Sequence, residues 1–193
     1  MRYRAWYFIV GCICLIGLAL FVYFRNGNLS PKTSPDSAVT AVFAGMSATT
    51  SPLRANVETS PQDYLRYSNA TYRFMLFYPP KLQVSTYDEG GGASTIVFES
   101  ADHRTGFQIF VVPYTGGQVT ASRLRLDEPS GVVKDPTAVV IDNTKATMFF
   151  GKNTIMGDTR EVWFIKNGYL YEVTTYKELD SLLATVMQTW RFQ

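Results

Sequence analysis

Asn167-Gly168 is the pair of residues that leaves this chain the least freedom. It separates Thr159 to Lys166 from Tyr169 to Thr175, two runs rich in Val, Ile, Tyr, Phe and Thr. A two-residue type I′ turn needs positive φ at both central positions, and Asn-Gly meets that need at little steric cost. The pair therefore predicts an antiparallel hairpin whose register follows directly: Lys166 opposite Tyr169, Phe164 opposite Tyr171, Val162 opposite Val173. One side of that hairpin is apolar and is expected to face a core.

Similar runs, each bounded by Gly, Pro, Asn or Asp, predict further strands near Tyr72 to Tyr78, Gln83 to Tyr87, Ser94 to Glu99, Phe107 to Pro113, Ala138 to Asp142 and Ala146 to Gly151. After Lys177 the apolar period changes. Leu179, Leu182, Leu183, Val186, Met187 and Trp190 fall at i, i+3, i+4, i+7, i+8 and i+11, the stripe of an amphipathic helix. A weaker helix is predicted from Thr120, a good N-cap, to a stop before Pro129. The architecture expected is α+β, an antiparallel sheet packed by helices on one face.

The chain has 193 residues, enough for one ordinary domain and an appendage. The appendage begins at once. Ala5 to Phe24 are twenty consecutive residues without a charge, and a helix of that length spans about 30 Å, the thickness of a bilayer core. Trp6, Tyr7 and Tyr23 sit where amphipathic rings settle at the headgroups, and Arg2, Arg4 and Arg25 bracket the run. A cleaved signal has a shorter apolar core and a small-residue site, which Phe21 to Asn28 do not offer. Ile9-Val10-Gly11-Cys12 looks like a lipobox, but the apolar run continues well past Cys12. A single span with Trp6, Tyr7, Tyr23 and Arg25 as its membrane anchors is the preferred reading, with processing as the alternative.

The positive-inside bias then sets the organisation. Residues 1–4 are expected in the cytoplasm, 5–24 in the membrane and the remainder outside. Residues 25–63, rich in Ser, Thr, Pro and Ala, read as a flexible linker, and the short apolar patch Ala38 to Met46 reads as a piece of it, with a docking segment as the alternative. Residues 64–193 read as the folded extracytoplasmic domain. From Tyr64 onward the chain has 13 Lys or Arg and 13 Asp or Glu, so the overall charge of +2 comes from the 5 basic and 3 acidic residues before it. Such a balance gives no electrostatic footprint for nucleic acid. Cys12 and Cys14 both lie in the apolar run, so the domain has no cysteine to pair or react.

Tyr67-Ser68-Asn69-Ala70-Thr71-Tyr72-Arg73-Phe74-Met75-Leu76-Phe77-Tyr78-Pro79-Pro80, running on through Lys81 to Val84, resembles the opening of the PsbP-like family, an aromatic first strand ending in a Tyr-Pro step. Tyr171-Glu172-Val173 on a hairpin strand, followed by an amphipathic helix and Thr189-Trp190-Arg191-Phe192, is similar to that family's close. The resemblance implies an α/β/α-type sandwich around an antiparallel sheet, in non-catalytic accessory or binding proteins at membranes. The best-known members serve photosystem II, and nothing in this chain points to photosynthesis.

Catalytic signatures are hard to find. His103 is the only histidine, in Asp102-His103-Arg104-Thr105-Gly106 between two predicted strands, where a solvated loop position is expected. No Ser lies in G-x-S-x-G, and one His without an available Cys gives little for zinc. Gly90-Gly91-Gly92 lacks a P-loop lysine and leads into a strand, so it reads as a hairpin loop. Asp88-Glu89 and Asp127-Glu128 read as solvated turn residues. Asn69-Ala70-Thr71 is a glycosylation acceptor only in a eukaryotic host. A pilin-type leader is excluded because Ile16, not Glu, stands five residues after Gly11.

The expectation is a membrane-anchored binding or assembly accessory with no cofactor and no metal, contacting lipid through its first helix and a protein partner at the membrane. The alternatives are a tethered hydrolase acting through His103 and a passive envelope spacer.

Overall fold

A computed structural model describes residues 61–193; the expected span with Trp6, Tyr7, Tyr23 and Arg25, and the linker up to residue 60, lie outside the described residues. Among the described residues no helix is long and apolar enough to cross a membrane.

The Asn167-Gly168 turn forms as the sequence requires, with φ of 52° and 81° at its two residues. It joins β8 (Gly157–Lys166) to β9 (Tyr169–Tyr176) in the expected register, Phe164 opposite Tyr171 and Val162 opposite Val173. Five more strands extend this hairpin into a seven-stranded antiparallel sheet: β3 (Leu82–Gly90), β4 (Ala93–Ser100), β5 (Gly106–Pro113), β6 (Lys134–Ile141) and β7 (Thr144–Asn153). Their order across the sheet is β3-β4-β5-β9-β8-β7-β6. Gly91-Gly92 turns β3 into β4 with positive φ at both residues, a hairpin loop as the sequence suggests. Asp142-Asn143 does the same between β6 and β7.

Two strands escape sequence reading. β1 (Leu65–Asn69) pairs with β2 (Phe74–Tyr78), and the two-residue β10 (Arg191–Phe192) pairs with β2 on its other side. These three form a small separate sheet. Its central strand is buried because the end of the chain returns to it. Thr189 Oγ1 accepts the Phe77 amide at 2.9 Å and Gln193 donates its amide to the Arg73 carbonyl at 2.8 Å.

The helix expected after Lys177 begins as a 3₁₀ turn, Lys177–Leu179, and continues as an α-helix, Asp180–Gln188. The weaker helix also forms, as α1 (Ala121–Asp127), with Thr120 Oγ1 accepting the Arg123 amide at 3.1 Å. The later helix is α2. The two do not share a face, which corrects the one-sided packing expected from the sequence. Leu183, Val186 and Met187 of α2 pack with Phe164, Tyr171, Val173 and Ile109. Leu124 of α1 packs with Phe149, Trp163 and Leu170, whose side chains leave the sheet on the opposite side. The central strands are consequently buried on both faces.

The α2 face is dry and aromatic. Phe74 stacks on Trp190 at 4.3 Å, Phe164 on Tyr171 at 5.0 Å, and Phe98 on Phe107 at 4.4 Å. The polar handle of Tyr171 is satisfied, its hydroxyl donating to the Tyr72 carbonyl at 3.0 Å. Burial pushes that hydroxyl's pKa upward.

Candidate functional site

The opposite face, under α1, has different chemistry. Period-2 alternation puts Thr159, Glu161, Trp163 and Ile165 of β8 there, beside Leu170, Glu172 and Thr174 of β9. Glu161 lies opposite Thr174 and Trp163 opposite Glu172. On a solvated face these carboxylates would be unremarkable. Here the segment from Tyr114 to Val133 lies over them, leaving Glu161 4% and Glu172 6% exposed.

Glu161 is the better satisfied of the two. Its Oε2 accepts the Thr174 hydroxyl at 2.7 Å and the Trp163 indole N–H at 3.2 Å. Burial nevertheless raises its pKa to about 7, against the lowering effect of those donors. Desolvation of the charged form outweighs the hydrogen bonds to it.

Glu172 meets Asp127, the last residue of α1, at a buried contact between two carboxyl groups. One cation serves both. Arg123 pairs through Nε with Asp127 one helical turn away, and its guanidinium Nη2 stands 3.7 Å from Glu172 Oε1. Asp127 Oδ1 and Glu172 Oε1 receive no hydrogen bond from any neighbouring donor. A proton held by one carboxyl and donated to the other removes that deficit, which is how two acids share a buried site. Both groups are shifted upward, burial being the main cause in each, and Glu172 is raised well above the ordinary range.

Glu128 completes the cluster. It caps α1, is 5% exposed and accepts the Ser130 hydroxyl; burial raises its pKa as well. Its carboxylate leans on the bare backbone of Gly151. A Cβ at that position would come within 3.0 Å of Glu128 Oε2 and 2.8 Å of Thr159 Oγ1, so glycine is there for space and not for conformation. Asp127 and Glu172 thus share Arg123, with Glu161 and Glu128 close enough to raise the pKa values of their carboxyl neighbours.

Asp127-Glu128 therefore departs from the solvated turn expected of it: α1 lays the pair against the sheet. Asp88-Glu89 is closer to expectation, with Asp88 exposed and accepting the Gly90 amide, although Glu89 is half-buried and accepts the Thr95 hydroxyl at 2.8 Å. His103 lies on the β4–β5 turn with positive φ, its Nδ1 2.7 Å from Glu99 Oε2. The adjacent Ser100 Oγ donates to Asp102 at 2.6 Å. Among the described residues no group of three or more His, Cys, Asp or Glu is arranged to hold a metal ion. The carboxyls under α1 can store protons.

No family model matches the sequence, and no curated protein does. Among solved structures the chain is similar to the solution structure of cyanobacterial PsbP (CyanoP) from Synechocystis sp. PCC 6803, at 14% identity and a TM-score of 0.48, covering 74% of this chain and 99% of that one. That is a weak likeness of shape. No partner or activity comes with it.

Proposed function

We propose that this chain is a single-pass membrane protein that displays its α+β domain outside the cytoplasm as a binding or assembly accessory. The observation that carries the reading is the uncharged run Ala5 to Phe24, flanked by Arg2 and Arg4 before it and Arg25 after it. Trp6, Tyr7, Tyr23 and Arg25 are its membrane anchors under this reading, and residues 25–63 are the tether.

A binding role is supported by the contrast between the two edges of the seven-stranded sheet. β6 opens with Lys134, Asp135 and Pro136 and shifts register against β7, features that discourage further pairing. β3 is different. From Leu82 to Tyr87 it has neither a charge nor a proline, and among the described residues it pairs only with β4. Such an edge suits addition of an extended strand from a protein partner. The hydrolase alternative rests on the His103–Glu99 contact, and the Ser100 hydroxyl of the same turn donates to Asp102.

Alkaline washing of membranes tests the anchor: the full chain should remain in the pellet, and its release would remove the basis of the proposal. A photo-crosslinker at Ser85 on β3 should capture a discrete partner in native membranes, whereas one at Lys145 on β7 should not. Equal capture from both positions, or none from either, would count against the β3 edge.

A further inference from the structure

α1 is seven residues long, too short to persist without its contacts. Its apolar attachment is small: Val119 and Leu124 meet Phe149, Trp163 and Leu170, with Tyr114 and Val133 at the margin. Leu126, on the same helix, is 36% exposed and adds little. The rest of the attachment is polar and buried. Arg123 reaches Asp127 and Glu172, and the two carboxyls meet across the gap between helix and strand.

Charges around that contact are uneven. α1 and its cap present Arg123, Asp127 and Glu128; β9 presents Glu172; β8 presents Glu161. β7 offers Phe149 and Gly151 at this face, and β5 offers Gln108 and Phe110, none of which is charged. Farther along the sheet, β4 offers Thr95, which holds Glu89 of β3. With a proton between Asp127 and Glu172, one cation faces one net negative charge at the contact itself. Without it, one cation faces two, with Glu161 adding to the repulsion on Glu172.

We propose that α1 with its flanking loops is a proton-operated cover, closed over the β8–β9 face while Asp127 and Glu172 share a proton and released when that proton leaves. Opening separates like charges and admits water to oxygens that no neighbouring donor serves. It also uncovers Phe149, Trp163 and Leu170. The α2 face has no counterpart: its contacts are aromatic and aliphatic apart from one pair of opposite charges at the start of the helix, Arg160 Nε 2.9 Å from Asp180 Oδ1, and no two carboxyls meet there. The cover is thus a local device in a sheet that stays folded. Upward shifts of Asp127, Glu172 and Glu161, each dominated by burial, have the sign the device needs: protons favour the closed form, and rising pH favours the open one.

Hydrogen–deuterium exchange of the full-length protein in detergent, followed from pH 5.5 to pH 8.5 and corrected for intrinsic exchange, reads the two helices in one sample. Protection of residues 121–127 should fall at least tenfold relative to residues 180–188 across that range. The same ratio should stay flat in Glu172→Gln, whose amide can donate to Asp127 at any pH, and in Asp127→Asn. A ratio that does not change in the wild-type protein would overturn the proposal whatever the variants do. A parallel loss of protection in both helices would overturn it too, since opening would then be global. So would a wild-type response retained in either folded variant.

Discussion

The two faces of the seven-stranded sheet are buried by different means. On one, α2 and the small β1–β2–β10 sheet enclose a core of aromatic rings, with Trp190, Phe74, Phe164 and Tyr171 almost wholly excluded from water. On the other, a single turn-rich segment around α1 covers Phe149, Trp163 and Leu170 together with Glu161, Glu172, Asp127 and Glu128. Apolar burial is insensitive to protons, whereas buried carboxyls fold most favourably when protonated. One sheet therefore has a face whose packing is fixed and a face whose packing depends on pH.

The largest effect should come from breaking the dry face. Trp190 stacks on Phe74 and meets Phe164, Tyr171 and Phe192, so Trp190→Ala should cost about 3–5 kcal/mol in denaturant unfolding. The cost should be the same at acid and at neutral pH. A strong pH dependence in that cost would erase the distinction between the faces.

The acid face should show the opposite behaviour. Below the ordinary glutamate range, folded and unfolded chains both hold the Glu161 proton and its contribution to stability is fully present. As pH rises the unfolded chain ionises first, and by about 7 the folded one follows, so the contribution is lost across that window. Each such group lowers the folding constant by up to about tenfold per pH unit there. Glu172, also raised chiefly by burial, has the same sign. Glu161→Gln, which keeps an acceptor for Thr174, should flatten the slope of stability against pH, and an unchanged slope would contradict the assignment.

Gly151→Ala sharpens the comparison from the packing side. The added methyl meets Thr159 Oγ1 and the Glu128 carboxylate, and overpacking of that kind costs about 1–3 kcal/mol. Measured by thermal unfolding, the loss should be accompanied by greater solvent access to Trp163. A neutral substitution would mean that Glu128 does not rest on Gly151.

Sequence patterning conveys the dry face well and the acid face poorly, for a physical reason. Asn167-Gly168 sets the register of β8 and β9, and the Leu179 to Trp190 stripe places α2, because both rest on local geometry and apolar period. β1 and β10 are not legible as strands, and β10 is two residues whose pairing depends on the chain returning to β2. Glu161, Glu172 and Thr174 occupy positions that alternation assigns to solvent, and nothing local says that a helix some forty residues earlier will cover them. Phe149, Trp163, Ile165 and Leu170 were the available signal. Four large apolar residues on the nominally polar side of adjacent strands need a cover, and α1, with Leu124 facing inward, supplies it. The burial of Asp127 and Glu128 follows from that docking and has no signature of its own.

Side-chain carboxyl 13C NMR of the full-length protein, titrated with pH and assigned through Glu161→Gln and Glu172→Gln, tests the proton-holding face most directly. The expected result is a Glu161 midpoint near 7 and a Glu172 resonance still protonated where surface carboxylates have long since ionised. If both instead titrate with the exposed carboxylates, near the ordinary glutamate value of about 4.3, the face under α1 holds no proton and the contrast between the two faces fails.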